Sequence, residues 1–104
     1  MIKIEDLYYY SLKADGFDKT TIIRANSSHE AYGFFYFEIM VDPIPLEDVD
    51  LKPISIHDDL CVEINGQNLY KSVNDIMKRA IYPKKNDKHP SLIVLNGKIS
   101  VTYP

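Results

Sequence analysis

Apolar and polar positions near the N-terminus predict two strands joined by a turn. In the segment DLYYYSLKADGFDKTTIIRA, the tyrosines and the pair Ile22–Ile23 favour extended backbone, and Asp15–Gly16 is a turn signal. We therefore expect two strands around a loop at residues 14–18. A helix is the competing interpretation, because a set of apolar and small side chains also has helical spacing: Ile4, Leu7, Tyr8, Ser11 and Leu12.

Two Asn-Gly dipeptides predict tight hairpins, Asn65–Gly66 and Asn96–Gly97. A type I′ turn needs positive φ at both central positions, which asparagine and glycine tolerate. Two-residue loops then determine the strand register. The expected pairs are Val62 with Leu69 and Cys61 with Tyr70, then Val94 with Ile99 and Leu92 with Val101, with Ile93 and Ser100 on a wetter face.

A capping pattern predicts the first helix. Ser27 is followed three residues later by Glu30, a spacing at which each side chain can bond the backbone amide at the other position. The helix should run from about Ser28 to Val41. Pro43 then ends it, because the residue before a proline is pushed out of helical space.

A second pair with this spacing, Ser72 and Asp75, predicts another helix. Pro83 should end it. The residues between them form a core-facing stripe of Val73, Ile76, Met77, Ala80 and Ile81.

Together these elements follow the order ββα, loop, ββα, ββ and predict an α+β fold. We expect a small antiparallel sheet built from hairpins, with two helices packed on one face. Residues 1–104 should form a single compact domain, with a proline-rich connecting loop at about 42–53. An edge strand near residues 54–56 is an alternative for the end of that loop.

Five aromatic rings crowd the stretch YGFFYF within the first predicted helix. On a helical wheel, one half is core-facing, while Phe34, Phe37 and Val41 fall on the other half. A helix that is apolar nearly all round must be covered on its second side too. The cover is either the 42–53 loop folding back, or a partner or second copy of the chain docking on exposed anchors.

Length and composition place the chain among small folded proteins. It has 104 residues, of which 45% are hydrophobic and 26% charged. No apolar run approaches the roughly 18 residues of a membrane span, and no secretory signal pattern opens the sequence. Cys61 alone excludes an internal disulfide and suits a reducing compartment, so we expect a cytoplasmic protein with no membrane contact. Between two apolar neighbours, Cys61 should be buried.

Charge is distributed unevenly along the chain. Residues 38–63 hold eight acids against one lysine, and residues 64–104 hold seven bases against two acids. The two segments can pair with each other on folding or remain solvated. Otherwise, five of the acids are candidates for contact with a basic protein partner: Glu47, Asp48, Asp50, Asp58 and Asp59.

No catalytic motif stands out. The four glycines are scattered, no nucleophile elbow is present, and HDDLC at 57–61 lacks a second ligand pair for zinc. We therefore expect no enzyme activity, no cofactor and no metal. The basic segment 79–89 suggests a nucleic-acid-contacting regulator as the alternative function, with phosphate and base contacts from Arg79, Tyr82, Lys84, Lys85 and Lys88.

The preferred interpretation is a protein-binding module, because eight tyrosines provide rings with a polar tip, a residue type enriched at interfaces. In size and acidic composition, though in no motif, the chain resembles the small proteins that phages and other mobile elements make to inhibit host machinery, including anti-CRISPR and other anti-defence factors. That resemblance implies an inhibitor or adaptor that acts by stoichiometric binding to a host protein or defence complex.

Overall fold

The computed structural model describes residues 8–40, 43–78, 80–81 and 89–102. Two α-helices, a π-helix, a 3-10 helix and seven strands lie within these ranges. In chain order they are β1 (Tyr8–Lys13), β2 (Ile22–Ala25), α1 (Ser28–Phe34), the π-helix (Phe35–Ile39), the 3-10 helix (Leu46–Asp48), β3 (Asp50–Ile54), β4 (Asp59–Ile64), β5 (Gln67–Ser72), α2 (Val73–Met77), β6 (Ser91–Leu95) and β7 (Lys98–Ile99).

The strands form one mixed sheet in the order β3-β1-β2-β6-β7-β4-β5. The predicted α+β class is confirmed, but the expectation of a purely antiparallel sheet is wrong. β7 runs parallel to β4, with Lys98 beside Glu63, and the Glu63 amide donates to the Gly97 carbonyl at 2.6 Å. The parallel pair arises because the C-terminal hairpin inserts between β2 and β4 instead of adding to an edge.

The sheet curls because a short turn joins strands from distant places in it. β3 and β4 are five positions apart in the strand order, a separation of about 24 Å in a flat sheet. The chain between Ile54 and Asp59 can reach only about 17 Å even when fully extended. The Asn74 amide donates to the Ile56 carbonyl at 2.9 Å, which ties this turn to the start of α2.

Local predictions at the turns are confirmed. Asn65 and Asn96 have φ of 52° and 48°, and the glycines after them are also positive. Val62 pairs with Leu69, Cys61 with Tyr70 and Val94 with Ile99, as expected. Residues 8–13 form a strand and not a helix. Ile93, however, is fully buried, because a register shift where β2 meets β6 turns it towards the core.

The two helices pack against opposite faces of the sheet, so the expectation that both lie on one face is wrong. Ile22 belongs to the apolar cluster that α2 covers, whereas its neighbour Ile23 belongs to the cluster under α1 and the π-helix. Successive side chains of a strand point to opposite faces. Each helix therefore has its own core.

The second helix is shorter than its apolar stripe predicts. α2 ends at Met77, and only Val73, Ile76 and Met77 are buried. Ile81 is 54% exposed, and its amide donates to the Thr102 carbonyl at 2.8 Å. The backbone at this position bonds the chain near its C-terminus instead of continuing a helix.

The predicted connecting loop at 42–53 is also shorter in the structure. β3 begins at Asp50 and pairs along β1, so residues 50–53 are strand. Pro53 is compatible with this strand because β3 lies at the edge of the sheet. Proline has no backbone N–H to donate, and at a position that faces outward from the edge no hydrogen bond between strands is lost.

Candidate protein-binding surface

The start of α1 is held by hydrogen bonds among three polar residues, Asn26, Ser27 and Glu30. Ser27 has extended backbone and its hydroxyl accepts from the Glu30 amide at 3.2 Å. The Glu30 carboxylate accepts from the Asn26 amide at 2.9 Å and from its side chain at 3.0 Å. The serine cap is therefore as predicted, but the glutamate bonds the residue before the cap. These three bonds hold the first turn in place.

A π-helix continues α1 directly. The Met40 amide donates to the Phe35 carbonyl at 2.8 Å, the five-residue spacing of a π-helix. Phe35 is fully buried and packs edge to face on Phe17 and Tyr36, with ring centroids 5.3 Å and 5.5 Å away. π-Helical turns are rare and are frequent at functional sites. The buried ring anchors this turn to the sheet.

Two tyrosines hold the proline-rich segment against the helix. The Tyr32 hydroxyl donates to the Val49 carbonyl at 3.3 Å, and the Tyr36 hydroxyl donates to the Ile44 carbonyl at 3.0 Å. Ile44 and Val49 also belong to the apolar cluster under the helix. The segment thus covers the tyrosine side of the helix from within the chain, and not the half with Phe34, Phe37 and Val41 that the loop was expected to cover.

The Tyr36 hydroxyl lies in a partly apolar and acidic setting. Partial burial raises the pKa of Tyr36 above its usual value, and the charges of Tyr32, Glu47 and Asp48 add to that effect. Two of the predicted acidic residues, Glu47 and Asp48, thus contribute to the raised pKa of Tyr36. They lie on the segment that the tyrosines hold.

Phe37 remains uncovered on the other side of the helix. Its side chain is 89% exposed, whereas Phe34 is half-buried and packs against the cluster under the helix. Of the two rings named as candidate anchors, Phe37 is therefore exposed and Phe34 is not, and Val41 lies outside the described residues. A shallow depression beside the exposed ring, here called the Phe37 surface, is lined by Glu30, Gly33, Phe34, Phe37, Glu38 and Pro90.

The five predicted acids are all exposed but do not form one cluster. Glu47, Asp48 and Asp50 lie at the start of β3, while Asp58 and Asp59 follow its other end. A five-residue strand separates these ends by about 13 Å. Asp48 and Asp50 border a depression that also contains two acids from the β1–β2 loop, Asp15 and Asp18.

Sequence reasoning missed several members of these surfaces. Asp15 and Asp18 lie far along the chain from β3, and only strand pairing brings them near it. Pro90 reaches the Phe37 surface in the same way, through the pairing of β6 with β2. The capping pattern had identified Glu30, although as a helix signal and not as a surface acid.

The remaining sequence candidates contribute less to a site. Asp58 accepts from the Ser55 amide at 3.2 Å, which makes it a turn residue. Cys61 is exposed, so the expectation of burial is wrong; its side chain projects from the face of β4 opposite Val62. The basic candidates Arg79, Tyr82, Lys84, Lys85 and Lys88 lie outside the described residues.

The described part of the chain contains neither a metal-binding cluster nor a membrane-spanning helix. Within it, no three His, Cys, Asp or Glu side chains are grouped closely enough to hold a metal ion. None of the helices in these same ranges has the length and apolar character that crossing a bilayer requires.

Comparison of the chain with protein-family models, with curated proteins and with solved structures finds no match. The candidate surface is the Phe37 surface. It consists of one exposed aromatic ring, two flanking carboxylates and a helix whose other side is packed and hydrogen-bonded to the rest of the chain.

Proposed function

We propose that the protein is a non-enzymatic binding module that forms a stoichiometric complex with another protein through the Phe37 surface. The observation that supports this is the contrast between two rings on one helical turn. Phe35 is fully buried, and Phe37 is 89% exposed. An exposed phenylalanine contributes nothing to the core, but a ring entering a partner's pocket can supply much of the binding energy.

The backbone that carries Phe37 is held before any partner arrives. The serine cap, the buried ring of Phe35 and the two tyrosine hydrogen bonds all restrain the helix from the core side. A rigid anchor loses little conformational entropy on binding, so more of the contact energy appears as affinity.

The charges near the ring indicate the chemistry of the partner. Glu30 and Glu38 both line the Phe37 surface. The matching partner surface is an apolar pocket with basic groups on its rim, since like charges opposite each other would oppose docking. An inhibitor or adaptor of a host protein or defence complex is the role we favour, in keeping with the small size and acidic composition of the chain.

The test uses three baits in lysate of the native host: wild type, Phe37→Ser, and Ile81→Ser as a matched control. Ile81 is also apolar and 54% exposed, but it lies away from the Phe37 surface. Quantitative mass spectrometry should find a protein that wild type and Ile81→Ser retain and Phe37→Ser loses. The purified pair should then bind in a fixed ratio by calorimetry.

The affinity loss for Phe37→Ser with that purified partner should be about 2 kcal/mol or more. Recovery of the same proteins by all three baits would refute a role for this ring. Recovery that nuclease treatment abolishes would favour the nucleic-acid alternative instead.

A further inference from the structure

The outer edge of β5 carries backbone amides and carbonyls that form no hydrogen bond with another strand in the described part of the chain. β5 is the last strand in the sheet order. In a hairpin with a two-residue loop, the residues flanking the loop form a hydrogen-bonded pair, and bonded positions then alternate. Gln67, Leu69 and Lys71 therefore bond β4, while Asn68 and Tyr70 direct their amides and carbonyls outward.

Two observed hydrogen bonds agree with this alternation. The Glu63 amide, opposite Asn68 in the hairpin, points away from β5 and donates to the Gly97 carbonyl. The Ser72 amide also points away from β4 and donates to the Asp75 carboxylate at 3.5 Å within the α2 cap. The open part of the edge is thus limited to Asn68 and Tyr70.

The two edges of the sheet differ in how they resist pairing. β3 carries Asp50, Lys52 and Pro53 within five residues, and charges and proline are the usual protection of an edge strand. β5 has no proline and only one charge, Lys71. Its exposed side chains include Leu69 at 38% and Tyr70 at 73%.

We propose that β5 is a self-association edge, through which two copies of the chain pair antiparallel about a two-fold axis at Leu69. In this register Asn68 lies opposite Tyr70 of the second copy, and Tyr70 lies opposite its Asn68. Each of these is a pair of outward-facing residues that exchanges two hydrogen bonds. The four bonds satisfy every outward amide and carbonyl of both residues in both copies.

The side chains are compatible with the same register. Leu69 meets its own copy in a non-hydrogen-bonded pair, where side chains approach most closely. Lys71 falls opposite Gln67, so no like charges face each other across the axis. Shifting the axis to Tyr70 would place Asn68 opposite Ser72, whose amide is already bonded within the α2 cap.

Sedimentation equilibrium tests the proposal with the full chain, from about 10 μM to about 1 mM, where a contact of this small size should associate. The apparent mass should rise from 12.0 kDa towards twice that value. Leu69→Lys and Leu69→Glu should each weaken association at least tenfold, because each places like charges face to face. Mixing the two variants should restore a dimer.

Cross-linking checks the register in a Cys61→Ser background, since Cys61 is exposed. Leu69→Cys should form a disulfide-linked dimer, because opposed non-hydrogen-bonded positions lie within disulfide reach. The matched control Gln67→Cys should not link to itself but should link to Lys71→Cys. Circular dichroism verifies that each variant is folded.

A wild-type mass of 12.0 kDa across the whole range would overturn the proposal. The proposal would also be overturned if the Leu69→Lys variant were folded and formed the dimer as strongly as wild type. Neither result bears on the Phe37 surface, which has its own test.

Discussion

Replacing Phe35 by alanine should destabilise the fold strongly, whereas replacing Phe37 by alanine should hardly change its stability. Phe35 is fully buried and contacts two aromatic rings edge to face, so Phe35→Ala removes a core ring and leaves a cavity. Such changes cost about 3–5 kcal/mol, and we expect about 4 kcal/mol here. Phe37 is 89% exposed, so Phe37→Ala should change the unfolding free energy by less than about 0.5 kcal/mol.

Urea denaturation followed by circular dichroism measures both changes. A chain of this length has an unfolding free energy of roughly 5–15 kcal/mol, so Phe35→Ala removes a large part of it. With an m-value of about 1.3 kcal/mol/M, the midpoint should fall by about 3 M for Phe35→Ala and by less than about 0.4 M for Phe37→Ala. Similar losses at the two positions would refute the reasoning, because they would mean that both rings are packed.

Three further changes test other parts of the structure. The pKa of Tyr36 is raised in the folded state, so this group stabilises the fold fully below pH 10.0, the usual tyrosine pKa, and the contribution is lost as pH rises through the folded pKa. Tyr36→Phe should therefore lose less melting temperature than wild type at alkaline pH. Gly97→Ala should lower the melting temperature more than Gly66→Ala, because both have positive φ but only at Gly97 would a Cβ lie 3.2 Å from a lysine side chain; equal losses would argue against that crowding. Once the partner is purified, the double variant Glu47→Gln, Asp48→Asn should associate with it more slowly in stopped-flow mixing, as wild type does when salt is added. Neutralising Asp58 and Asp59 should have less effect, and equal effects would place the steering charge elsewhere.

Features that depend on a few neighbouring residues could be predicted from the sequence. Both Asn-Gly turns and their registers are correct because two backbone positions with positive φ determine the pairing on either side. Both serine caps are correct because the acceptor lies three residues from its donor. Such contacts do not depend on where the element lies in the fold.

The arrangement of those elements could not be predicted in the same way. An apolar helix face suits either side of a sheet, so nothing local indicates that α1 and α2 lie on opposite faces. Insertion of the C-terminal hairpin between β2 and β4 depends on pairing between residues as far apart as Ile22 and Val94. Hydrophobic periodicity carries no information about strand order.

The candidate site was predicted in part. The wheel correctly placed Phe37 on the half of the helix that faces away from the core. It overestimated the exposure of Phe34, which packs partly against the core cluster. The hydrogen bonds of Tyr32 and Tyr36 were not foreseen either, because the path of residues 43–49 becomes known only when β3 pairs with β1.

The central position of β6 and β7 has a consequence for folding during synthesis. These strands leave the ribosome after the other five described strands, yet they join β3-β1-β2 to β4-β5 in the middle of the sheet. Until they emerge, the inner edges of β2 and β4 have no partner, and exposed edges of this kind favour pairing between chains. The nascent chain therefore exposes two separate half-sheets until β6 and β7 close the gap, which makes chaperone binding in that interval an advantage.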